Sequence, residues 1–109
     1  MSEEQNELKV YESKRFEKAL SKLSEVHLKL VEDEIDKIVA HPEVGEQKKG
    51  DLAHLRVHKF KLEKQQVLLG YSWIEQRLDI YLLQFGSHEN FYQKVKTQRK
   101  ADLKKMKPS

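Results

Sequence analysis

The chain has 109 residues and no cysteine, so it is long enough for one domain with a modest core and can form neither disulfides nor a thiolate metal site. Its net charge is +3, but residues 91–109 hold seven Lys and Arg against one Asp, so the positive excess lies in the C-terminal segment. Such a block of charge attracts phosphate or an acidic protein surface, although a solvated helix end would have the same composition.

The first residues, MSEEQNE, are polar and acidic and have neither the basic region nor the apolar run of a signal peptide. We expect residues 1–7 to be disordered and residues 8–109 to form a single domain. The apolar runs are too short to span a bilayer, and the absence of cysteine suits a reducing compartment. The sequence therefore predicts a soluble, cytoplasmic protein.

The N-terminal half predicts one strand and two helices. Leu8–Tyr11 alternates and is typical of a short strand, and Ser13 is placed to cap the helix that follows. A second amphipathic pattern begins at Ser24 and ends near Pro42, because proline disfavours a helical residue before it. We expect these two helices to form an antiparallel hairpin.

The C-terminal half changes period from about 3.6 to 2. A polar loop over residues 42–53 precedes three predicted strands, His54–Lys61, Val67–Trp73 and Leu78–Phe85, and a basic helix over Glu89–Lys105. The element order is β-α-α-β-β-β-α. This order predicts an α+β fold in which the helical hairpin packs on a small, mostly antiparallel sheet and leaves the other face partly open.

The first of these three strands carries chemically useful side chains. Because side chains alternate along a strand, His54, Arg56 and His58 are expected on one face, and Leu55 and Val57 on the other, against the helical hairpin. Arginine binds phosphate in a bidentate manner, and histidine transfers protons near neutral pH. Two further cations of the strand are Lys59 and Lys61. An ordinary polar strand face is the alternative interpretation.

A second cluster follows the last strand, in the segment GSHENFY. Gly86 allows a sharp turn, Ser87 is placed to cap the next helix, and His88 then lies near the helix start. Tyr92, one turn later, can reach the same side. The alternative is a capping turn with a surface histidine.

The basic C-terminal helix is the third candidate, because it can follow a phosphate backbone. Its cations are Lys94, Lys96, Arg99, Lys100, Lys104, Lys105 and Lys107. An exposed helix without a partner is the alternative. We expect no metal site, because His54 and His58 on one strand would be about 13 Å apart.

The chain resembles the RelE/ParE toxin superfamily of type II toxin–antitoxin systems. The resemblance rests on the element order together with the segments HPEVGEQKKGDLAHLRVHKFK, QQVLLGYSW and LLQFGSHENFY, and it covers Val10–Val95. It implies a cognate antitoxin protein that covers the active face. RelE-like members cut mRNA in the ribosomal A site without metal or cofactor, whereas ParE-like members bind DNA gyrase and perform no chemistry.

By this resemblance the chain is expected to be a ribosome-dependent mRNA endonuclease that inhibits translation, with a ParE-like gyrase inhibitor as the alternative. A non-toxic relative is a third possibility. The resemblance implies that His88 acts as general acid or base and that Arg56 and Lys61 stabilise the phosphorane. Auxiliary roles at the catalytic site fall to His58, Tyr71 and Tyr92, and nucleic-acid contacts fall to Lys59, Lys94, Lys96, Arg99 and Lys100.

One position departs from the family pattern. Many RelE-like toxins carry an arginine in the middle strand, in a Gly-Tyr-Arg-hydrophobic-x-Tyr pattern. Here Tyr71 fits the pattern, but Leu68 stands at the arginine position. The departure weakens the expectation of nuclease activity unless Arg56 or Lys61 supplies the charge.

Overall fold

The computed structural model describes residues 8–107, so the expected disorder of residues 1–7 lies outside the described residues. Residues 8–107 fold into four α-helices and five strands in an α+β arrangement, which confirms the predicted class. The elements are β1 (Lys9–Glu12), α1 (Lys14–Ser21), α2 (Glu25–Ala40), β2 (Glu46–Gln47), β3 (Arg56–Leu62), β4 (Gln65–Ile74), β5 (Asp79–Gly86), α3 (Phe91–Thr97) and α4 (Arg99–Met106).

The five strands form one sheet in the order β1-β5-β4-β3-β2. β1 pairs with β5 in parallel, and the other three pairs are antiparallel. The two-residue strand β2 lies within the segment predicted as a loop; it is too short to show a period. No helix within residues 8–107 is long and apolar enough to cross a membrane.

Serine caps fix both N-terminal helices, and the cap at Ser13 was predicted. The Ser13 hydroxyl accepts a hydrogen bond from the Phe16 amide and donates one to the Leu83 carbonyl, so the cap also ties α1 to β5. Ser24 accepts a hydrogen bond from the amide of His27 at the start of α2. Each hydroxyl satisfies an amide that lacks a partner within its helix.

The C-terminal segment differs from the single helix predicted over Glu89–Lys105. Asn90, with a φ of 64°, precedes α3, and the predicted cap at Ser87 is wrong because the helix begins four residues later. Asparagine tolerates this left-handed conformation better than most residues. Gln98 separates α3 from α4, and Asp102 of α4 accepts a hydrogen bond from Arg15 of α1.

Each face of the sheet has its own apolar cluster. On the face covered by α1 and α2, the hairpin face, Phe16 and Ile38 pack with Leu69 and Leu82. On the opposite face, the α3 face, α3 packs on the sheet through a cluster whose members include Leu55, Val57, Leu68, Phe91 and Val95. The prediction that Leu55 and Val57 pack on the helical hairpin is therefore wrong.

A buried ion pair joins the two ends of the fold. Arg15 of α1 donates to both carboxylate oxygens of Asp102 on α4, at 2.9 and 2.8 Å, and to Gln84 Oε1 of β5 at 2.7 Å. The Asp102 side chain is 3% exposed, whereas that of Arg15 is 24% exposed. The pair therefore holds α4 against the rest of the fold.

His54 lies in the turn before β3 and not in the strand itself. Its carbonyl accepts a hydrogen bond from the Ser72 hydroxyl, and its Nε2 is buried without a partner. Burial lowers the pKa of His54; the Asp102 charge opposes the shift, and Arg99 adds to it. The prediction that His54, Arg56 and His58 lie on one strand is therefore wrong for His54.

We expect Arg15→Ala to lower the free energy of unfolding by about 3 kcal/mol, because it leaves the buried Asp102 carboxylate without its partner. Urea unfolding of the purified variant measures this loss. Lys14→Ala is the matched control, since Lys14 is exposed and adjacent, and its effect should stay within about 0.5 kcal/mol. Equal losses in the two variants would contradict a structural role for the pair.

We expect His54 to make the protein less stable as the pH falls below about 6.5, its usual pKa. In that window the unfolded chain takes up a proton that the folded chain resists, so the free energy of unfolding decreases with falling pH. Urea unfolding at pH 7.5 and 5.5 should show a larger decrease for the natural chain than for His54→Gln. An identical pH dependence for both proteins would contradict this assignment.

Candidate nucleic-acid interface

Lysines gather on the α3 face at the edge formed by β2 and β3. Glu46 pairs with Val57, and Lys59 pairs with Leu68. Directly opposed residues of neighbouring strands point to the same face. Since Val57 and Leu68 belong to the cluster beneath α3, Glu46 and Lys59 lie on that face, and Lys61 follows by alternation.

Lys48 extends this cationic edge towards α3. Its backbone amide donates to the Leu55 carbonyl, and its ammonium lies 3.1 Å from Glu46 Oε1 and 5.3 Å from the ring centroid of Tyr92. Burial alone would lower the pKa of Lys48, but the hydrogen bonds with Glu46 and Tyr92 outweigh it and raise the pKa above its usual value. Lys48 therefore stays cationic.

His88 and Tyr92 form an aromatic pair beside this lysine. Their ring centroids are 5.7 Å apart, and the rings meet edge to face. His88 is exposed, whereas Tyr92 is half-buried and packs against the apolar cluster of the α3 face. An exposed imidazole, held by a tyrosine on a helix, can meet a ligand that approaches from solvent.

The sheet register places Lys59 level with the turn that carries His88. Lys59 pairs with Leu68, and Leu68 pairs with Gly86, two residues before the histidine. At about 4.8 Å between neighbouring strands, the Cα atoms of Lys59 and Gly86 are about 10 Å apart. Leu68, 1% exposed, separates them with an apolar side chain.

Arg56 and His58 do not join this group. Arg56 pairs with Tyr71 across the strands, which places it on the hairpin face. Its Nη1 donates to the carbonyls of Glu43 and Gly45 at 3.1 and 2.8 Å. Arg56 and His88 were both expected at the catalytic site, but they lie on opposite sides of the sheet, because the α3 face takes the odd-numbered residues of β3.

His58 faces helix α2 on the hairpin face. Its Nε2 lies 2.7 Å from Glu34 Oε1, and both side chains are less than one-fifth exposed. Burial would raise the pKa of Glu34, but hydrogen bonds with His58 and Lys37 outweigh it and lower the pKa. His58 thus joins β3 to α2.

Tyr71 is fully buried on the hairpin face. Its hydroxyl donates to the Pro42 carbonyl at 2.6 Å and accepts a hydrogen bond from the Gly45 amide at 2.9 Å. Burial raises its pKa. A Cβ at Gly45 would lie 2.8 Å from the Tyr71 hydroxyl, so glycine is needed there. The arrangement anchors the loop after α2 and gives a substrate no access to this hydroxyl.

The basic C-terminal residues are spread over two helices. Lys94 and Lys96 belong to α3 and are exposed, whereas Arg99 and Lys100 belong to α4. Arg99 Nε donates to the Asp51 carbonyl at 2.6 Å, so Arg99 also holds α4 in place. The predicted single basic helix is therefore wrong, because Gln98 divides the segment into α3 and α4.

The structure thus brings together Lys59, Lys61, His88 and Tyr92 on one face. Sequence reasoning missed Lys48 because it stands in a segment predicted as a loop, and residues 46–49 are all polar and show no strand alternation. No group of three His, Asp or Glu side chains that could hold a metal ion occurs among residues 8–107.

Comparison with models of protein families identifies the family of this chain. A sequence model of the family described as "ParE-like toxin of type II bacterial toxin-antitoxin system" matches residues 10–96. No curated protein sequence matches significantly.

Solved structures of the E. coli toxin RelE share the fold at low sequence identity. A RelE mutant in the free state aligns with a TM-score of 0.65 at 16% identity, covering 92% of this chain and 98% of that one. RelE in the intact E. coli RelBE toxin–antitoxin complex gives a TM-score of 0.62 at 17% identity, covering 75% and 98%. The same mutant bound to an antitoxin RelBc peptide gives 0.60 at 16% identity, covering 84% and 93%.

The family match spans most of the chain, and the described elements reproduce the fold of RelE. The chain therefore belongs to the ParE-like toxins of type II bacterial toxin–antitoxin systems.

Proposed function

We propose that this toxin arrests growth by cutting mRNA on the ribosome and that a cognate antitoxin holds it inactive. The observation that carries the proposal is the cluster on the α3 face, where Lys48, Lys59 and Lys61 lie on the same side of the sheet as the His88–Tyr92 pair. Fixed positive charge and an exposed imidazole are the groups that metal-free RNA cleavage needs.

The chemistry assigns a role to each group. The ribose 2′-oxygen attacks the adjacent phosphorus, its proton passes to a base, and the 5′-oxygen leaves with a proton from an acid. This step yields a 2′,3′-cyclic phosphate and a 5′-hydroxyl. His88 exchanges one of these protons, because histidine does so near neutral pH. Lys59 and Lys61 stabilise the negative charge on the pentavalent phosphate.

Lys48 and Tyr92 support this arrangement. The raised pKa of Lys48 means that it supplies charge and does not accept a proton. Tyr92 lies between Lys48 and His88 and orients the imidazole. Arg56, His58 and Tyr71 act as structural residues in this proposal, since each is bound to the loop or helix beside the hairpin face.

The antitoxin is proposed from the relatives. The RelE structures that share this fold include complexes with the antitoxin RelB or its peptide. A partner that covers the α3 face would neutralise the lysines and bury His88. Such a partner needs acidic side chains for the lysines.

Gyrase inhibition without catalysis is the second candidate. Leu68 favours it, because a buried leucine stands where many RelE-like nucleases have an arginine. This candidate requires surface complementarity only. It is distinguished by the accumulation of gyrase–DNA cleavage complexes while cellular mRNA stays intact.

We expect His88→Ala to reduce mRNA cleavage by about 100-fold or more and to relieve growth arrest, since proton transfer contributes about 10²–10⁴-fold. Induced expression, followed by mapping of mRNA 5′ ends and pulse labelling of protein synthesis, measures both effects. His41→Ala is the matched control, because the His41 side chain is 74% exposed and lies outside the α3 face. A fully toxic His88→Ala variant with intact mRNA would refute the endonuclease.

We expect Lys59→Ala to lower the cleavage rate by about 100-fold and to leave the melting temperature unchanged, because Lys59 is exposed and stabilises charge in the transition state only. Arg56→Ala should instead lower the melting temperature, because it removes the hydrogen bonds to the Glu43 and Gly45 carbonyls. It should not lower the cleavage rate of the folded protein. Assays of cleavage and thermal unfolding on both variants test this division. Catalytic loss in a stable Arg56→Ala protein would overturn it.

A further inference from the structure

A second cationic surface lies on the other side of α3. A groove of about 370 Å³ runs between α1 and α3, beside the end of β5. β1 covers β5 only from Asp79 to Leu82, so Gln84 and Phe85 are left to line the groove. Its walls carry four cations, three glutamines and one threonine, and within residues 8–107 no acidic residue lines it.

Three of the four cations keep their charge available. Arg15 is committed to Asp102 and Gln84. Lys18, Lys22 and Lys94 are exposed and have no carboxylate within 4.0 Å among the described residues. The groove therefore presents three uncompensated positive charges to solvent.

The positions of these lysines suit a chain of phosphates. Lys22 caps the C-terminus of α1 four residues after Lys18, so the two lysines are neighbours on one side of the helix, with Cβ atoms about 6 Å apart. Lys94 reaches the groove from α3 on the opposite wall. Lysines on both walls can hold successive phosphates of one strand, and the glutamines and threonine can donate to phosphate oxygens.

The groove is separate from the His88 cluster. Successive residues of an α-helix advance by about 100°, so Lys94 and Tyr92 are about 200° apart around α3. Phe91 and Val95 lie between them and face the sheet, where both are buried. The lysine groove and the His88–Tyr92 pair consequently occupy opposite flanks of one helix.

We propose that this groove binds the phosphate backbone of RNA, as a second contact besides the α3 face; the choice of RNA rests on the proposed function. The lining favours phosphate over a protein partner, because its only apolar members are Ala19 and the buried Phe85. A stable protein interface needs an apolar centre, whereas phosphate binding needs fixed cations and donors.

Binding of a 2′-O-methyl oligoribonucleotide, which cannot be cleaved, to the purified chain at several salt concentrations tests the proposal. Each phosphate neutralised on a single strand contributes about 0.7 to the slope of log affinity against log salt. Lys18→Ala/Lys22→Ala should lower that slope by about 1.4 and weaken binding about tenfold at low salt. Lys18→Arg/Lys22→Arg should bind like the natural chain.

The matched control removes the same charge elsewhere. Lys9→Ala/Lys29→Ala replaces two exposed lysines of β1 and α2 that do not line the groove, and it should keep the natural slope. Equal losses in the two double-alanine variants would overturn the proposal, because net charge alone would then explain binding. The proposal would also be overturned if binding of an acidic peptide required Lys18 and Lys22 while binding of RNA did not.

Failure of this inference is distinguishable from failure of the proposed function. Groove-dependent binding with intact cellular mRNA would support the groove and refute the endonuclease. Cleavage that persists in Lys18→Ala/Lys22→Ala, with unchanged RNA affinity, would refute the groove alone.

Discussion

The alternation of side chains along β3 determines what each face of the sheet can do. Arg56, His58 and Phe60 point to the hairpin face, and Val57, Lys59 and Lys61 point to the α3 face. Because both faces are partly covered by helices, each set meets a different environment. On the hairpin face, Arg56 donates to a backbone carbonyl and His58 is hydrogen-bonded with Glu34. On the α3 face, Lys59 and Lys61 are exposed to solvent.

The C-terminal helices depend on a second constraint, the contact between Arg15 and Asp102. α4 has few apolar residues, so its place on the fold rests largely on this pair and on the hydrogen bonds from Arg77 to Met106 and from Arg99 to Asp51. Since Arg15 also binds Gln84, the same arginine forms part of the groove between α1 and α3. One side chain thus links the packing of α4 to the shape of a cationic surface.

The sequence predicted the elements well where periodicity was long and clear, as in α2 and β4, and where a serine cap marked a start. It predicted the wrong face of β3 to meet the helical hairpin. Leu55 and Val57 on one face and Phe60 and Leu62 on the other are equally apolar, so the pattern of β3 alone is symmetric. Packing of α3 on Leu55 and Val57 determines which face of β3 meets the hairpin, and this tertiary contact cannot be predicted from the local pattern of β3. His88 and Tyr92 lie together as predicted, but not through helix spacing, because α3 begins at Phe91 and His88 lies in the segment before it.

Close packing of α3 explains why the cations of the α3 face lie at its edge. A Cβ at Gly70 would lie 3.0 Å from both Leu55 and Phe91, so α3 approaches β4 as closely as a glycine permits. Leu68, beside it on the same face, is 1% exposed, and a cation in its place would lose its hydration. Lys48, Lys59 and Lys61 stand instead on β3 and the adjoining loop, where their ammonium groups reach solvent. In the proposed function, a phosphate would reach these lysines from the β2–β3 side of the sheet and would meet Tyr92 and His88 beyond them.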